Sequence, residues 1–260
     1  MRTISVVIIT LNEARNLGRC LQSVQRVANE IVVLDSHSTD ETVAIAQRFG
    51  AQVHQQPFAG YAQQKRDADA LATGEWILSI DADEALSPEL EASLLAFKSS
   101  AVPPANKAYK LSRLTNYCGN WIKHCGWYPD KKVRLYQKGT GDWIGENLHE
   151  AWELAGENVQ YGLLSGDLLH YSYYTLSEHI LQFNKFTEIA AHAAVAAGKD
   201  CSVLKVWAAP KWRFFHMYIL KRGFLDGYAG YLVCKFSAVA AQLKYAKIRQ
   251  YRRQKQALPK

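Results

Sequence analysis

Two aspartates separated by one residue, Asp81 and Asp83, form a D-x-D motif. Their carboxylates offer hard oxygen ligands to Mg²⁺ or Mn²⁺ and leave coordination positions for the oxygens of a substrate diphosphate. The motif alone is not specific, because solvated turns also carry it. Its position directly after an apolar strand pattern at residues 75–80 favours the metal-binding interpretation.

Other polar side chains follow predicted strands at the same edge of the sheet. Thr10, Asn12 and Glu13 follow the first strand, and Asp35 ends the second. Because the carboxyl ends of parallel strands form the ligand-binding edge of an open sheet, these residues should converge with the D-x-D motif. Massed carboxylates repel one another unless a cation neutralises them. The sequence therefore predicts a divalent-metal and diphosphate site.

Alternating strand and helix patterns position these residues. Residues 4–10 and 31–35 are apolar runs typical of strands buried on both faces, and Leu17, Leu21 and Val24 recur at helical spacing between them. Further patterns predict a helix after a capping box at Ser38 and Glu41, a strand at 51–54, a helix at 61–72, a strand at 75–80 and helices at 88–98 and 176–198. This order predicts an α/β fold with a mostly parallel central sheet flanked by helices.

Composition restricts the class of protein. The chain has 260 residues, of which 48% are hydrophobic and 21% charged, so it can fold around a core of its own. Its five cysteines include no C-x-x-C pair, which argues against a disulfide or zinc framework. The N-terminus shows no secretory leader pattern, which favours a cytoplasmic protein.

Charge is distributed unevenly along the chain. Residues 205–260 contain 13 Lys and Arg and one acidic residue, whereas residues 1–204 contain 18 basic and 23 acidic residues. The basic segment is also rich in Trp, Tyr and Phe, and it has no apolar run of the roughly 20 residues that cross a bilayer. We interpret it as a helical tail that lies on an anionic inner-membrane surface. The alternatives are a helix packed on the catalytic domain and the seam of a homodimer.

Five segments resemble the family-2 inverting glycosyltransferases, and most closely the lipopolysaccharide core enzymes of the β-1,4-glucosyltransferase type. They are TLNEARNL (10–17), LDSHSTDET (34–42), QQKRDADALATGEWILSIDADE (63–84), WYPDKKVRLY (127–136) and NLHE (147–150). The resemblance covers residues 3 to about 190. It implies a Rossmann-like GT-A fold that binds a nucleotide-activated sugar, usually a UDP-sugar.

The resemblance also implies roles for individual residues. By motif match, the nucleotide-sugar contacts are Thr10, Asn12 and Glu13 in the first loop, Asp35 near the uracil, Lys65 and Arg66 near base or phosphate, and Asp81. Asp83 matches the direct metal ligand. His170 is either a third contact to metal or diphosphate or a structural histidine.

Displacement of a nucleoside diphosphate from an anomeric carbon requires stabilised charge on the leaving group and a base on the opposite face. Because the D-x-D acids are assigned to the metal, the base must be a separate carboxylate. By motif match it is Glu150, with Glu146 as the alternative. Arg134, inside an apolar strand pattern, either pairs with an acid or faces the diphosphate.

Most of these residues also have a structural interpretation. Asn12 is a candidate cap for the first helix, Lys65 and Arg66 are candidate solvated helix charges, and Trp127 and Tyr128 either pack or form an acceptor platform. For Asp40 and Glu41 we favour the structural interpretation, in which an acid complements a helix N-terminus.

The sequence thus predicts a GT-A domain at residues 1–200, with a nucleotide-sugar half at 1–100 and an acceptor half at 101–200, followed by the membrane-associated tail at 201–260. The expected activity is metal-dependent transfer of one hexose from UDP-glucose to an inner-core heptose of lipopolysaccharide, a lipid-linked acceptor, at the cytoplasmic face of the inner membrane.

Three alternative functions share some of these features. A glycosyltransferase acting on another membrane or peptide acceptor uses the same site. Sugar-phosphate nucleotidyltransfer lacks support because residues 5–11 contain no glycine for a phosphate loop. A non-catalytic adaptor that binds membrane or nucleic acid leaves the acidic cluster unexplained, so we expect no nucleic-acid partner.

Overall fold

The structure is a computed structural model that describes residues 1–145, 150–156 and 159–257, with side chains described as far as residue 254. The chain divides into two compact units. The first comprises Met1–Leu114 and Pro129–Tyr171, and the second comprises Thr115–Tyr128 and Ser172–Lys260. These bounds differ from the predicted division after residue 200, because the helix at Leu176–Ala196 packs on the C-terminal helix.

The first unit begins with parallel strands separated by helices. They are β1 (Ile4–Thr10), α1 (Ala14–Val24), β2 (Glu30–Asp35), α2 (Thr42–Arg48), β3 (Gln52–Gln55), α3 (Tyr61–Leu71) and β4 (Trp76–Asp81). The strands lie in the order β3-β2-β1-β4 and all pair in parallel. In this register Thr10 lies beside Asp35, and Ile9 lies beside Asp81. The predicted strand and helix order is confirmed, and the ends of β1, β2 and β4 meet at one edge.

Both faces of β1 are buried, which explains its unbroken apolar sequence. Val6 and Ile8 pack in one cluster with Leu21 of α1. Val7 points to the opposite face and packs with Ala68 of α3. A strand with helices on both faces has no solvent side, so alternating polar residues would bury polar groups.

Further strands, several of them paired antiparallel, complete the sheet. The next elements along the chain are β5 (Glu84–Leu86), α4 (Pro88–Ser99), β6 (Ala108–Tyr117), β7 (Asn120–Ile122), β8 (Asp130–Gln137), β9 (Gly141–Ile144), β10 (Ala151–Leu154) and β11 (Gly162–Tyr173). The order β4-β8-β6-β11-β5 continues from β4, and β9 and β10 form a separate two-stranded sheet. The α/β class with a mixed central sheet is confirmed, and β8 pairs antiparallel with both β4 and β6. Beyond α4 the described strands follow one another without an intervening helix, and such connections favour antiparallel pairing.

The predicted capping box at Ser38 and Glu41 is wrong. Helix α2 begins at Thr42, and its N-cap residue Glu41 makes no side-chain cap. The Asp40 carboxylate instead accepts hydrogen bonds from the backbone N–H groups of Thr42 and Ala14, at 3.0 and 3.1 Å. Asp40 therefore complements the first turns of α1 and α2, as its structural interpretation predicted.

The second unit is mainly helical. Its helices are α5 (Leu176–Ala196), α6 (Val203–Phe215) and α7 (Gly227–Ala257), and a π-helical turn (His216–Leu220) and a 3₁₀ turn (Gly223–Asp226) join the last two. Helix α5 begins with a capping box between Thr175 and Glu178. The predicted C-terminal helix is present. Among the described residues, no helix is both long enough and apolar enough to cross a membrane.

An aromatic cluster occupies the core of the second unit. The ring of Trp127 lies 6.0 Å from that of Tyr117 and 6.2 Å from that of His179. His179 is buried, with Nδ1 2.9 Å from the Tyr117 hydroxyl, and burial lowers its pKa to about 4. Trp127 therefore packs against these rings, as the structural interpretation of this residue predicted.

Candidate active site

Asp35 organises the ends of three strands. Its buried carboxylate accepts hydrogen bonds from the Thr10 hydroxyl at 3.1 Å, the Ser38 backbone N–H at 2.9 Å and the Gln55 amide at 2.9 Å. Burial alone would raise the pKa of Asp35, but the bonds from Gln55, Ser38 and Thr10 hold it below its usual value. Thr10 and Asp35 are thus brought together, and a contact from Asp35 to a nucleotide base stays a prediction.

Asn12 ties the loop after β1 to the loop after β2. Its backbone is in the left-handed region, with φ of 56°, a conformation that asparagine tolerates better than most residues. Its side-chain oxygen accepts a hydrogen bond from the Thr39 N–H, and its own N–H donates to the Ser38 hydroxyl, both at 2.8 Å. Asn12 does not cap α1, whose N-cap residue is Glu13. Asn12 thus holds these two loops together, and a nucleotide contact by Asn12 stays a prediction.

Glu13 confirms that the acidic residues after β1 and β4 converge. Burial raises the pKa of its carboxyl, a hydrogen bond from Asn16 opposes the rise, and the charges of Asp83, Asp40 and Asp81 add to it. Carboxylates influence one another in this way only at short range, because solvent screens distant charges. The loops that the sequence placed at one edge therefore do form one acidic group.

Asp81 is held between two buried cations. Its carboxylate lies 2.9 Å from Lys65 Nζ and 2.5 Å from Arg134 Nη2. Burial would raise the pKa of Asp81, but the charges of Arg134 and Lys65 hold it far below its usual range. Of the two roles expected for Arg134, pairing with an acid and facing the diphosphate, the structure shows the pairing with an acid. A nucleotide or metal contact by Asp81 stays a prediction.

A second carboxylate, for which the sequence indicated a place at the same edge but no role of its own, completes this network. Glu84 is buried and lies 2.8 Å from Arg134 and 3.5 Å from Arg113. It also accepts a hydrogen bond from the backbone N–H of Asp81 at 2.9 Å. Glu84 thus fixes the turn that carries the D-x-D motif. The signal for this in the sequence is that Glu84 directly follows Asp83 of the D-x-D motif.

Asp83 faces a histidine, separately from the two cations at Asp81. Its carboxylate lies 3.1 Å from Nε2 of His170, and its carbonyl accepts a hydrogen bond from the N–H of Tyr171. His170 reaches this position because β11 pairs with β5, which places His170 opposite Glu84. The structure thus places His170 beside Asp83, and a contact from His170 to a metal or diphosphate stays a prediction.

These two side chains fit part of a divalent-metal site. Within the described ranges, no group of three or more His, Cys, Asp or Glu side chains is arranged to hold a metal ion. Asp83 and His170 offer one carboxylate and one imidazole, both ligands that Mn²⁺ accepts. A cation that also binds diphosphate oxygens needs only one or two protein ligands. The donor set therefore fits a cation brought in with a diphosphate.

Glu150 lies in the same network as the D-x-D motif. Its carboxylate is 3.6 Å from Lys65 Nζ, and its side chain is partly exposed. Lys65 is buried, and its Nζ lies 4.6 Å from the centre of the Trp143 ring in a cation–π contact. Trp143 was not singled out from the sequence. The alternative base, Glu146, lies outside the described residues.

Arg66 is directed away from this network. Although it follows Lys65 directly in α3, its Nε donates to the Asp142 carboxylate at 2.9 Å, and Nη2 donates to the Trp143 carbonyl. Consecutive helical residues point about 100° apart, so the two cations reach different partners. The structure therefore brings Lys65 to Asp81, whereas the side chain of Arg66 is bonded to residues of β9. A nucleotide contact by Arg66 stays a prediction.

A cavity of about 430 Å³ opens beside Lys65, Asp81 and Glu150. The other described residues that line it are Lys110, Arg113, Lys131, Lys132, Val133, Arg134, Trp143, Ala151, Trp152, Glu153 and Tyr161. Small-molecule sites typically measure about 300–1,000 Å³, so the volume suits a sugar-sized ligand.

Asp69 holds Trp143, one of the residues that line the cavity. Its carboxylate accepts hydrogen bonds from the Tyr136 hydroxyl at 2.7 Å and the Trp143 indole N–H at 3.0 Å, while Oδ1 has no partner within the described part of the chain. Burial raises the pKa of Asp69 to about 6, and the bonds from Tyr136 and Trp143 oppose the rise. Asp69 positions the ring that contacts Lys65.

We expect Asp69→Asn to change how stability depends on pH. Because the folded-state pKa of about 6 lies above the ordinary 3.8, the folded chain binds the proton more tightly between these values. Stability conferred by protonated Asp69 is therefore lost as pH rises from about 4 to about 6. As pH rises through this window, the free energy of unfolding of the variant should increase by about 2–3 kcal/mol relative to that of wild type, as measured by urea unfolding. Parallel pH profiles for the two proteins would contradict this.

Comparison with known proteins identifies the family. Residues 5–101 match the family described as Glycosyl transferase family 2. Over 257 residues the chain is 32% identical to an uncharacterized glycosyltransferase of Rickettsia felis, covering 96% of this chain and 90% of the relative. The chain belongs to glycosyltransferase family 2. It is an enzyme that transfers a glycosyl group, and the β-α series with the D-x-D turn is the GT-A fold of this family.

Two further proteins are similar to this glycosyltransferase. Lipopolysaccharide core biosynthesis glycosyltransferase LpsC of Rhizobium meliloti is 31% identical over 261 residues, covering 95% of this chain and 92% of the relative. Glucosyl-3-phosphoglycerate synthase of Mycobacterium tuberculosis, solved with Mn²⁺, UDP and glucosyl-3-phosphoglycerate, matches 56% of this chain and 61% of its own, with 20% identity and a TM-score of 0.42.

Proposed function

We propose that this glycosyltransferase transfers one hexose from a UDP-sugar to an inner-core heptose of lipopolysaccharide, with inversion at the anomeric carbon. The proposed donor is UDP-glucose. The observation that carries the proposal is the position of Lys65, whose Nζ lies 2.9 Å from Asp81 and 3.6 Å from Glu150. One buried cation thus links the D-x-D motif to a separate carboxylate in one cavity. The similarity to LpsC supports the lipopolysaccharide acceptor.

Fixed positive charge favours departure of UDP. As the bond between the anomeric carbon and UDP breaks, its electron pair leaves with the diphosphate, which gains negative charge. Lys65 and Arg134 are both buried and already held in place by Asp81. Cations fixed in advance stabilise a developing charge without the cost of reorganising solvent.

Glu150 is the proposed base. The acceptor hydroxyl oxygen forms the new bond to the anomeric carbon on the face opposite UDP, and its proton passes to the Glu150 carboxylate. Glu150 suits this role because neither Asp81, bound to two cations, nor Asp83, beside His170, has a comparably available carboxylate. Its partial exposure toward the cavity allows an acceptor to approach.

Asp83 and His170 would hold a Mg²⁺ or Mn²⁺ ion together with the donor diphosphate. When bound, such an ion supplies Lewis-acid stabilisation of the leaving group. We expect Asp83→Ala to abolish the part of UDP affinity that depends on Mn²⁺, while the fold persists because Asp83 is a partly exposed side chain. UDP titrations with Mn²⁺ and with EDTA measure this, and equal affinities in both would contradict the metal role.

A thermal-shift panel tests the donor. Nucleotide-sugars bind only the folded chain, so UDP-glucose at 100 times its Kd should stabilise it by about 2.7 kcal/mol. UDP-sugars should raise Tm, and GDP- or ADP-sugars should not. The absence of any UDP-sugar effect would overturn the proposal. Release of inorganic diphosphate, rather than UDP, during turnover would support the nucleotidyltransferase alternative.

We also propose that the second unit binds the cytoplasmic face of the inner membrane. None of the residues of α6 is buried, and Leu204, Trp207 and Trp212 are 76%, 62% and 62% exposed. Soluble surfaces seldom expose so many large apolar side chains together. Tyr228, at the start of α7, is 75% exposed. This set is suited to the interface of a bilayer, where Trp and Tyr are favoured.

Positive charge on the same surface favours anionic lipids. A groove between α6 and α7 is lined by Trp207, Phe214 and Tyr231 together with Lys211 and Lys235. Each Lys or Arg near an anionic leaflet contributes about 1 kcal/mol of attraction. The groove thus presents apolar and cationic side chains together, as an anionic bilayer surface requires.

Vesicle co-sedimentation tests the membrane proposal. We expect the chain to pellet with vesicles that contain phosphatidylglycerol and much less with phosphatidylcholine alone. The double variant Trp207→Ala and Trp212→Ala should weaken binding by about tenfold or more, because both indoles leave water on binding. Phe58→Ala, which removes an exposed aromatic ring from the first unit, is the matched control. Equal binding by both variants would contradict the assignment of this surface.

A further inference from the structure

The cavity beside Glu150 carries more positive charge than its acids neutralise. Its cationic lining side chains are Lys65, Lys110, Arg113, Lys131, Lys132 and Arg134. The inner cations have acidic partners, because Lys65 and Arg134 bind Asp81 and Arg113 lies 2.6 Å from Asp130. The charge excess therefore lies farther out, on β6 and β8.

Lys110 and Lys131 account for this excess. Within the part of the chain that the structure describes, neither forms an ion pair, whereas Lys132 lies 3.5 Å from Asp130. Lys110 of β6 is paired with Val133 of β8, and Lys131 lies two residues before Val133, so both ammonium groups belong to the same face of the sheet. The two lysines are diagonal neighbours across β6 and β8, within reach of one another's long side chains, so an anion bound between them would relieve their mutual repulsion.

The remaining wall of the cavity suits a sugar. Lys110 Nζ lies 4.6 Å from the centre of the Tyr161 ring, and Trp143 and Trp152 line the same space. The buried Nε of Arg134 has no hydrogen-bond partner among the described residues. Aromatic walls with a few polar groups and an unused buried donor are the composition of a small-molecule site.

We propose that this cavity is the acceptor subsite and that it selects an acceptor bearing a phosphate group, which Lys110 and Lys131 bind. The inference rests on the proposed transferase function and names its substrate class. Apart from Lys65 and Asp81, the described lining residues come from residues 110–161, whereas Thr10, Asn12 and Asp35 belong to the loops after β1 and β2. Lysine ammonium groups bind phosphate as point charges, so the pair requires no fixed orientation of the phosphate.

Inorganic phosphate is the probe that tests this. We expect it to bind wild-type enzyme saturated with UDP and Mn²⁺, as measured by calorimetric titration. Replacing both lysines, Lys110→Ala with Lys131→Ala, should weaken that binding by about tenfold or more, since each removes a charged contact. Lys107→Ala is the matched control, because Lys107 is an exposed lysine on the segment leading into β6 and does not line the cavity. Arginine at both positions should restore binding.

Two results would overturn the inference. If phosphate binds the free enzyme but not the enzyme saturated with UDP, the cavity holds the donor diphosphate rather than an acceptor. If the double alanine variant binds phosphate as wild type does, the two lysines are not the contacts. Failure of UDP itself to bind wild-type enzyme is a separate outcome that contradicts the proposed function, because the UDP titration is measured before phosphate is added.

Discussion

Glu150→Gln should lower kcat by about 10²- to 10⁴-fold with little change in KM, the range typical for loss of a general base. Glutamine keeps the size of the side chain and a hydrogen-bond acceptor but does not take the hydroxyl proton. Binding of donor and acceptor should therefore persist while the chemical step slows. Initial rates of UDP release at varied donor and acceptor concentrations measure both constants.

The same hairpin region supplies a control for this substitution. Glu153 lies on β10, lines the same cavity and is exposed, and it has no ion pair within the described residues. Glu153→Gln makes the same chemical change at the same cavity, yet kcat should stay within about threefold of wild type, as expected for a surface substitution. A Glu150→Gln effect confined to KM would assign Glu150 to binding, and a larger kcat loss in Glu153→Gln would move the base to that residue.

Arg134→Met should give the largest loss of stability, about 3 kcal/mol in the free energy of unfolding measured with urea. Arg134 is buried and lies 2.5 Å from Asp81 and 2.8 Å from Glu84. Among the described residues, its removal leaves the fully buried Glu84 with the Asp81 N–H at 2.9 Å and, as its remaining cation, Arg113 at 3.5 Å. This loss is at the lower end of the range of about 3–5 kcal/mol for a broken buried ion pair, because Asp81 keeps its contact with Lys65 and is partly exposed.

A second substitution separates lost charge pairing from lost packing. Combining Arg134→Met with Glu84→Gln removes the uncompensated carboxylate, so the double variant should be more stable than Arg134→Met alone. Arg66→Met breaks an exposed pair with Asp142 and should cost no more than about 1 kcal/mol. Equal losses for Arg66→Met and Arg134→Met would show that the buried network does not hold the D-x-D turn.

Local patterns predicted most of the backbone correctly. The β-branched run at residues 4–10 became β1, and the helix expected at 61–72 is α3 (Tyr61–Leu71). These patterns are reliable because a strand covered on both faces must be apolar throughout, and a surface helix must repeat its apolar face every turn. The capping box at Ser38 failed because the same hydroxyl had a competing partner, the Asn12 N–H of the neighbouring loop.

Side-chain partners were predicted less well, because they depend on strands far apart in the chain. Asp81 is joined to Lys65 across α3 and β4, and to Arg134 more than fifty residues later. Trp143 was missed and the partners of Glu84 were not predicted, because nothing in their own segments shows which cations they meet. Lys65 and Arg66 are neighbours in sequence, and only the course of α3 beside β9 separates their roles.

The buried strands, and the polar and acidic loops that follow them, can be predicted from the pattern of residues along the chain. They follow from hydrophobic periodicity, which acts over a few residues. The folded sheet is needed to show that Asp81 binds two cations, that Asp83 faces His170 and that Lys110 and Lys131 share one face. Ion pairing depends on distances of a few ångströms between segments, and those distances exist only once the sheet has formed.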